Sequence, residues 1–447
     1  MAEFPNRIKV KDLEEHHPEY RPGKLAKYEA LYSGGDLFHA HIDQFLIRRQ
    51  VEEGKAASMG MRAEQIYRER KKWAQYVNRA GGLVDWFTSV VFSDLSITAA
   101  NDPDGYWAGL NRDADGLGNP LPVVARRVLR EMLVHQRAYL KVFFPEEVAT
   151  FSRPESMALR MRPVSASAVD DWERDTDHAD ELQWVRVKSC DMERSSTIGP
   201  RDVKVTRWAY VTLDAIYVYE YREKKDDKKN SKEDKVATLV DVLRPQFGAL
   251  PVYEVRTTDS LWMMDRVSDV AVALYNSEAG LTFSLMLSAY AQLVLTLSEG
   301  ADLDQLVLSE YAALRMNAEA GEKAEYLTPP ASVFDPQFKN IERLKLSFYE
   351  VLQSMAKNAE AIPQIGRASG DMIEQLQEPM QALIASLGWP VVTALERWVE
   401  GVKAFRREED NDVELVLPQA YKASMRDVQE LVGVTDGPEE ETLTNDE

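Results

Sequence analysis

The sequence predicts an α+β chain, mainly helical, and three observations carry that prediction. Apolar residues recur three or four apart along two long stretches, 260–285 and 335–405, the spacing that lines one face of an α-helix. Between residues 158 and 253 the period drops to two, and β-branched and aromatic residues take over, as strands require. A hydrophobic share of 45% over 447 residues supplies a core sufficient for about three domains.

Taken in order, residues 1–25 are a polar arm without the apolar run of a signal peptide. Residues 67–92 mix basic side chains with Trp73, Tyr76, Trp86 and Phe87. That mixture has two readings, a nucleic-acid surface or a solvated helix face with its core stripe, and the second is the commoner. Asn101 to Asn119 is rich in Asn, Asp and Gly and predicts a loop. Pro122 to Phe144 predicts a helix with Val124, Val128, Met132 and Leu133 on one side, running into a short strand.

The strand region contains Arg160-Met-Arg-Pro-Val, Leu182-Gln-Trp-Val-Arg-Val, Arg207-Trp-Ala-Tyr-Val-Thr-Leu and Ile216-Tyr-Val-Tyr-Glu-Tyr, which predict an antiparallel sheet. The Lys and Asp run from Glu223 to Lys235 marks an exposed hairpin tip, with disorder expected there. A long helix follows, capped by Asp259 or Ser260, with Val267, Val270, Leu274, Leu281 and Leu285 on its apolar face. Leu281 to Leu297 is apolar but shorter than the roughly 20 residues of a membrane span, and Ser284, Ser288 and Gln292 interrupt it. It predicts a buried or subunit-interface helix.

The insertion from Leu293 to Phe334 predicts one apolar strand and a short helix. Beyond it, Phe338, Ile341, Leu344, Phe348, Leu352 and Met355 stripe one helix. Ile373, Leu376, Met380, Leu383, Leu387, Val391, Leu395, Trp398 and Val402 stripe the next, with Asn358 to Gly370 as the loop between them. Pro379 and Pro390 each remove a backbone donor and predict bends. A helix is expected at Ser424 to Leu431, and an acidic, disordered tail from Pro438.

Lysine plus arginine total 54 against 74 acids, a net charge of −20, which excludes a chain that grips nucleic acid by overall charge. The single cysteine, Cys190, excludes disulfide frameworks and cysteine-rich metal sites, and it fits a reducing cytosolic origin. No P-loop, dinucleotide fingerprint, nucleophile elbow or zincin motif is present. His39 and His41 could share one side of a strand, but no third metal ligand lies near them, and surface histidines are the plainer reading. Asp170, Asp171 and Glu173 flank Trp172 and read as acids at a turn before a strand, with a catalytic pair as the rarer alternative. The sequence therefore predicts no enzyme, no cofactor and no metal.

Several stretches, in this order and spacing, resemble the portal proteins of tailed bacteriophages. They are Tyr76-Val-Asn-Arg-Ala-Gly-Gly-Leu-Val-Asp-Trp, Val164-Ser-Ala-Ser-Ala-Val-Asp-Asp-Trp, Gly248-Ala-Leu-Pro-Val before the helix at Asp259, and Arg367-Ala-Ser-Gly before the last long helix. The resemblance spans most of residues 25–430 and implies a non-enzymatic ring, a dodecamer, at one capsid vertex, through which double-stranded DNA is packed and ejected. It implies an arm at 1–25, a wing at 26–258 and a descending stem helix at 259–293. A clip at 294–334 and an ascending stem helix at 335–357 follow. A tunnel loop at 358–369, a kinked helix returning to the wing at 370–420, and a minimal crown with acidic tail at 421–447 complete it. Implied partners are a terminase motor, a head-tail connector protein, and capsid and scaffold proteins, with no membrane. The particle's location would be the portal vertex of the virion, assembled in the host cytoplasm.

Within that reading, Lys357, Asn358, Gln364 and Arg367 approach DNA phosphates, while Glu278, Glu342 and Glu350 keep the rest of the bore weakly repulsive. Equally open is that Lys357 and Arg367 pair with carboxylates of neighbouring subunits. Arg315, Asn317 and Lys323 would form the clip's partner surface. Two alternatives remain: another structural virion protein, such as a connector or capsid subunit, and a soluble nucleic-acid-processing enzyme. Particle images separate the first from a central-channel ring; tight salt-dependent DNA binding or nucleotide turnover would favour the second.

Overall fold

The computed structural model describes residues 4–53, 60–92, 94–144, 158–175, 181–194, 201–224, 235–245, 247–289, 292–296, 323–327, 332, 334–355 and 370–417. About half of these residues are helical and the fold is α+β. The chain divides into two compact units. The first holds Met1–Gly34, Asn78–Ser268 and Glu350–Glu447; the second holds Gly35–Val77 and Asp269–Tyr349.

The N-terminal arm is structured. Strand β1 (Arg7–Lys9) and one turn of helix, α1 (Val10–Leu13), precede α2 (Pro22–Ser33), whose first-turn proline has its φ already set for a helix. Short helices α3 (Gly35–Ala40) and α4 (Ile42–Phe45) lead to α5 (Gly60–Trp73) and α6 (Arg79–Val91). At the start of α6, Asn78 caps the helix by accepting from the Gly81 amide at 2.9 Å, and its own amide nitrogen donates to the Tyr32 carbonyl at 2.6 Å. A Cβ at Gly81 would stand 2.3 Å from that same carbonyl, so this position admits only glycine.

Strand β2 (Ser96–Ala99) is followed by α7 (Tyr106–Leu110), which lies inside the stretch expected to be a loop. The aspartates that signalled a loop are its caps: Asp102 accepts from the Trp107 and Ala108 amides, and Asp104 from the Tyr106 amide. Helix α8 (Leu121–His135) buries Val124, Val128, Met132 and Leu133, as the periodicity predicts, and runs into β3 (Arg137–Phe143).

Strands β4 (Arg160–Ser165), β5 (Val169–Asp175), β6 (Glu181–Arg194), β7 (Arg201–Thr212), β8 (Ile216–Lys224), β9 (Val236–Leu243) and β10 (Val252–Arg256) follow. The antiparallel pairing is as expected, but it forms two sheets, β1-β9-β8-β7-β6-β5 and β10-β3-β4, not one. One face of the larger sheet carries Trp208, Tyr210, Tyr217, Tyr219 and Tyr221, and residues 4–13 cover it: Phe4 stacks on Tyr217 with centroids 4.0 Å apart, and Val10 and Leu13 pack with Trp208 and Tyr219. The expected hairpin tip at 225–234 lies outside the described residues.

The long helix α9 (Met263–Ala289) begins later than expected. Asp259–Leu261 forms a separate 3₁₀ turn, so neither Asp259 nor Ser260 caps it. Strands β11 (Gln292–Thr296) and β12 (Lys323–Leu327) pair antiparallel, so the insertion contributes two strands where one was expected. The expected short helix there lies outside the described residues. Helices α10 (Asp335–Met355) and α11 (Gly370–Arg406) match the expected bounds closely, and β13 (Val413–Val416) pairs with β2. Helix α11 continues through Pro379 and Pro390 as one element of about 55 Å, although each proline lacks the backbone donor of its turn. Leu383, Leu387, Val391, Leu395, Trp398 and Val402 are all buried within the first unit. Each contributes roughly 1.5–3 kcal/mol relative to an exposed position. Ser424 to Leu431 and the acidic tail lie outside the described residues.

Candidate functional site

The helices α9 and α10, with the β11–β12 pair between them in sequence, carry the predicted channel acids Glu278, Glu342 and Glu350. Leu274 and Leu281 of α9 pack on Ile341 of α10, with Phe334 and Leu344 at the margin. Asn340 donates to the Ser277 hydroxyl at 3.4 Å, and Arg343 donates back to Asn340 at 3.0 Å. These contacts fix the register of the two helices.

The stripe predicted for α10 is only partly buried. Ile341 and Phe348 are covered, whereas Phe338 is 47% exposed and Leu346, off the predicted stripe, is 56% exposed. On α9, Leu285 is 38% exposed. Exposed apolar side chains are therefore present on both helices in the single chain.

A second layer supports α9. The Asn276 side chain donates to the Phe45 carbonyl at 2.8 Å and accepts from the Ile47 amide at 2.9 Å. Phe38 lies between Phe45 and Tyr76, with stacked centroids at 4.6 and 4.0 Å, and meets Tyr275 edge-on at 5.1 Å. Below this, Arg70 and Glu52 form a fully buried two-point pair at 2.8 and 2.7 Å. Asp43 accepts from Tyr67 at 2.9 Å and from Lys71 at 2.8 Å, and the Lys71 hydrogen bond holds the Asp43 carboxyl below its ordinary range. Burial, and then the Asp43 hydrogen bond, push Tyr67 up to about 12.

In the basic and aromatic run of α5 and α6, Tyr67 and Phe87 are buried while Trp73 and Trp86 are each 48% exposed, so its aromatics divide between core and surface. Arg68 pairs with Glu64, Lys72 with Glu69 and Lys71 with Asp43, so these cations are matched within the unit. His39 lies in the last turn of α3 and His41 immediately precedes α4, so neither lies on a strand. Asp170, Asp171 and Glu173 lie within β5 itself, not at a turn before it, and Asp170 is buried against Arg186. Among the described residues, no three His, Cys, Asp or Glu side chains gather closely enough to hold a metal. Among the same residues, no helix is long and apolar enough to cross a membrane.

Of the predicted site residues, Glu342 and Glu350 are exposed on α10 and Glu278 is half-buried on α9. Helix α10 carries Asp335, Glu342 and Glu350 against Lys339, Arg343 and Lys345, so its sign is mixed. Lys323 begins β12. Lys357, Asn358, Gln364 and Arg367, and Arg315 and Asn317, lie outside the described residues.

No family model matches the chain, and no curated protein matches it. Among solved structures it is similar to a chain from the neck of a native GTA particle computed with C12 symmetry, at 12% identity and a TM-score of 0.41, over 81% of this chain and 87% of that one. It is also similar to a chain from the neck of an empty GTA particle computed with C6 symmetry, at 13% identity and a TM-score of 0.38, over 81% of this chain and 86% of that one.

Proposed function

We propose that the chain is a portal-type subunit: a dodecameric ring at one vertex of a virion, forming the channel for double-stranded DNA. In this reading 26–258 form the wing, 259–293 and 335–357 the stem, 294–334 the clip, 358–369 the tunnel loop and 370–420 the helix behind it. The clip meets the terminase motor during packaging and a head-tail connector afterwards; the wing and arm meet capsid and scaffold.

The observation that carries the reading is the order α9, β11–β12, α10, α11: two long helices either side of a strand pair, then a helix of 37 residues. Apolar Leu285, Phe338 and Leu346, exposed in one copy, support burial against neighbouring copies, since a closed ring of identical chains covers such a stripe without a second protein. Net charge supports it too. A chain of −20 does not hold a polyanion tightly, and a channel for sliding DNA must not. Lys357, Asn358, Gln364 and Arg367 touch the backbone transiently, and Glu278, Glu342 and Glu350 temper that attraction.

Native mass measurement of the purified chain, with particle images, tests the ring. A monomer at micromolar concentration, or a shell without a central channel, overturns it. Arg367→Glu then tests the loop: rings form as before and DNA packaging slows, and packaging at the unaltered rate removes the DNA-contacting role.

A further inference from the structure

We propose that a cleft in the first unit binds a glutamate-rich segment of a partner polypeptide. The cleft, of about 440 Å³, is the size of ordinary ligand sites and lies between residues 19–25, the α8–β3 junction and the start of α9. Its walls are two indoles, each with a cation over its face. The Arg137 guanidinium stands 4.9 Å from the Trp172 ring, and the Lys24 ammonium 4.2 Å from the Trp262 ring. Arg21 and Arg256 line the same cleft and are exposed. The four cations, set against the lining's three acids Glu19, Asp259 and Asp265, leave the cleft weakly positive in a chain of net charge −20.

The acids of the cleft are already engaged. Asp265 takes Lys24 at 2.7 Å and the Tyr28 hydroxyl at 2.5 Å, and Asp259 takes the Gln136 amide at 2.5 Å. Glu19, 55% exposed, takes Arg137, which is 12% exposed. Glu19 thus displays, within the chain, the ligand the cleft accepts: a glutamate carboxylate on a guanidinium that covers an indole. Glu19 is the solvent-facing member of that pair and Arg137 keeps Glu254 at 3.9 Å, so an incoming carboxylate can exchange with Glu19 while Arg137 stays paired. At the cleft wall, buried His135 has an Nε2 with no hydrogen bond; its nearest carboxylate, Glu29, stands 3.4 Å off without hydrogen-bonding geometry.

Peptide carboxylates suit this layout better than one phosphate. The cations sit over different indoles rather than converging on a point, which matches separate charges on flexible stems. The indoles cover the stems' methylene groups. The proposal is independent of the ring reading.

The test uses the full chain and a dye-labelled hexaglutamate peptide, followed by fluorescence anisotropy at low salt. Saturable binding is expected, weakening as salt rises. The Arg21→Glu, Arg256→Glu double variant, whose substitutions fall on exposed side chains, should lose about tenfold or more in affinity with an unaltered circular dichroism spectrum. Glu19→Gln should gain about threefold, because it removes the internal competitor. No saturable binding overturns the proposal, as does equal binding of hexaglutamine. Indifference to the double variant, or to Glu19→Gln, also overturns it. Displacement by inorganic phosphate at the same concentration as unlabelled peptide identifies a general anion site and overturns it as well.

Discussion

The guanidinium Nε of Arg186 lies 2.7 Å from Oδ1 of Asp170, and each side chain is 1% exposed. The same guanidinium donates to the backbone carbonyl of Glu15, contacts the Tyr210 hydroxyl at 3.3 Å and reaches Asp171 at 3.3 Å. The backbone carbonyl of Asp170 accepts the His17 amide, and the His17 ring stacks on Trp172 with centroids 4.1 Å apart. One buried pair on β5 and β6 therefore anchors residues 15–17 to the large sheet. Arg186→Met leaves buried Asp170 without its guanidinium, with His16 Nδ1 3.5 Å from its other oxygen, and should cost about 3–5 kcal/mol in urea unfolding. Arg186→Met with Asp170→Leu should recover most of that loss, because no buried charge remains unpaired. Equal losses in the single and double variants would show that anchoring, not charge pairing, dominates.

Glu131 predicts an acid-sensitive step. Burial raises its carboxyl, but the hydrogen bond from His135, that residue's charge, Ser165 and Arg130 outweigh burial and bring it to about 2, from an ordinary value of 4.5. The native state then binds the proton less readily than the unfolded chain. The stabilisation is present above pH 4.5 and is lost as pH falls from 4.5 toward 2. Its size is on the order of 3 kcal/mol. Glu131→Gln should flatten the pH dependence of the thermal midpoint across that window while leaving other acid transitions in place. An unchanged slope would remove Glu131 from the account.

Gly401 lets α11 pack on β10. A Cβ there would lie 2.4 Å from the Tyr253 hydroxyl and 2.9 Å from the Phe247 ring. Gly401→Ala should therefore cost about 1–3 kcal/mol, as overpacked cores do. The Tyr253 hydroxyl is buried and has no hydrogen-bond partner among the described residues. Tyr253→Phe should accordingly leave stability unchanged or raise it, and should rescue part of the Gly401→Ala loss. Denaturant midpoints of the three variants check both statements. Destabilisation by Tyr253→Phe alone would mean that the hydroxyl has a partner in solution.

What the sequence made legible is what repeats locally. The stripes of α8 and of the second half of α11 are buried residue for residue, because a helical face is defined by neighbours three and four apart. Features set by distant pairs were not legible. Asp170 has the look of a turn acid until β6 brings Arg186, sixteen residues on, across from it. Strand β1 finds its partner on β9, more than 200 residues later, and nothing in Arg7–Lys9 announces that register. Helix α7 was hidden by its own caps, since aspartates that hold a helix start also signal loops. The cleft joins Lys24, Arg137, Trp172 and Trp262 from four separate stretches, none of them a motif. The predicted tunnel-loop residues lie outside the described residues.

The apolar surface on α9 and α10 gives the last prediction, which rests on the ring reading. Phe338 and Leu346 sit on a helix whose inner contacts are made by Ile341, Leu344 and Phe348, so replacing either outward residue removes little packing within one chain. Leu346→Glu should leave the unfolding free energy of the dissociated subunit within about 0.5 kcal/mol of the parent, as an exposed substitution does. In an assembled ring the same carboxylate would face the apolar surface of the next copy. Burying one unpaired charge at each interface costs several kcal/mol, and a closed ring repeats the cost at every contact. Native mass spectrometry should then find monomer where the parent chain gives the ring. Intact rings of Leu346→Glu would show that this face lies outside the subunit interface.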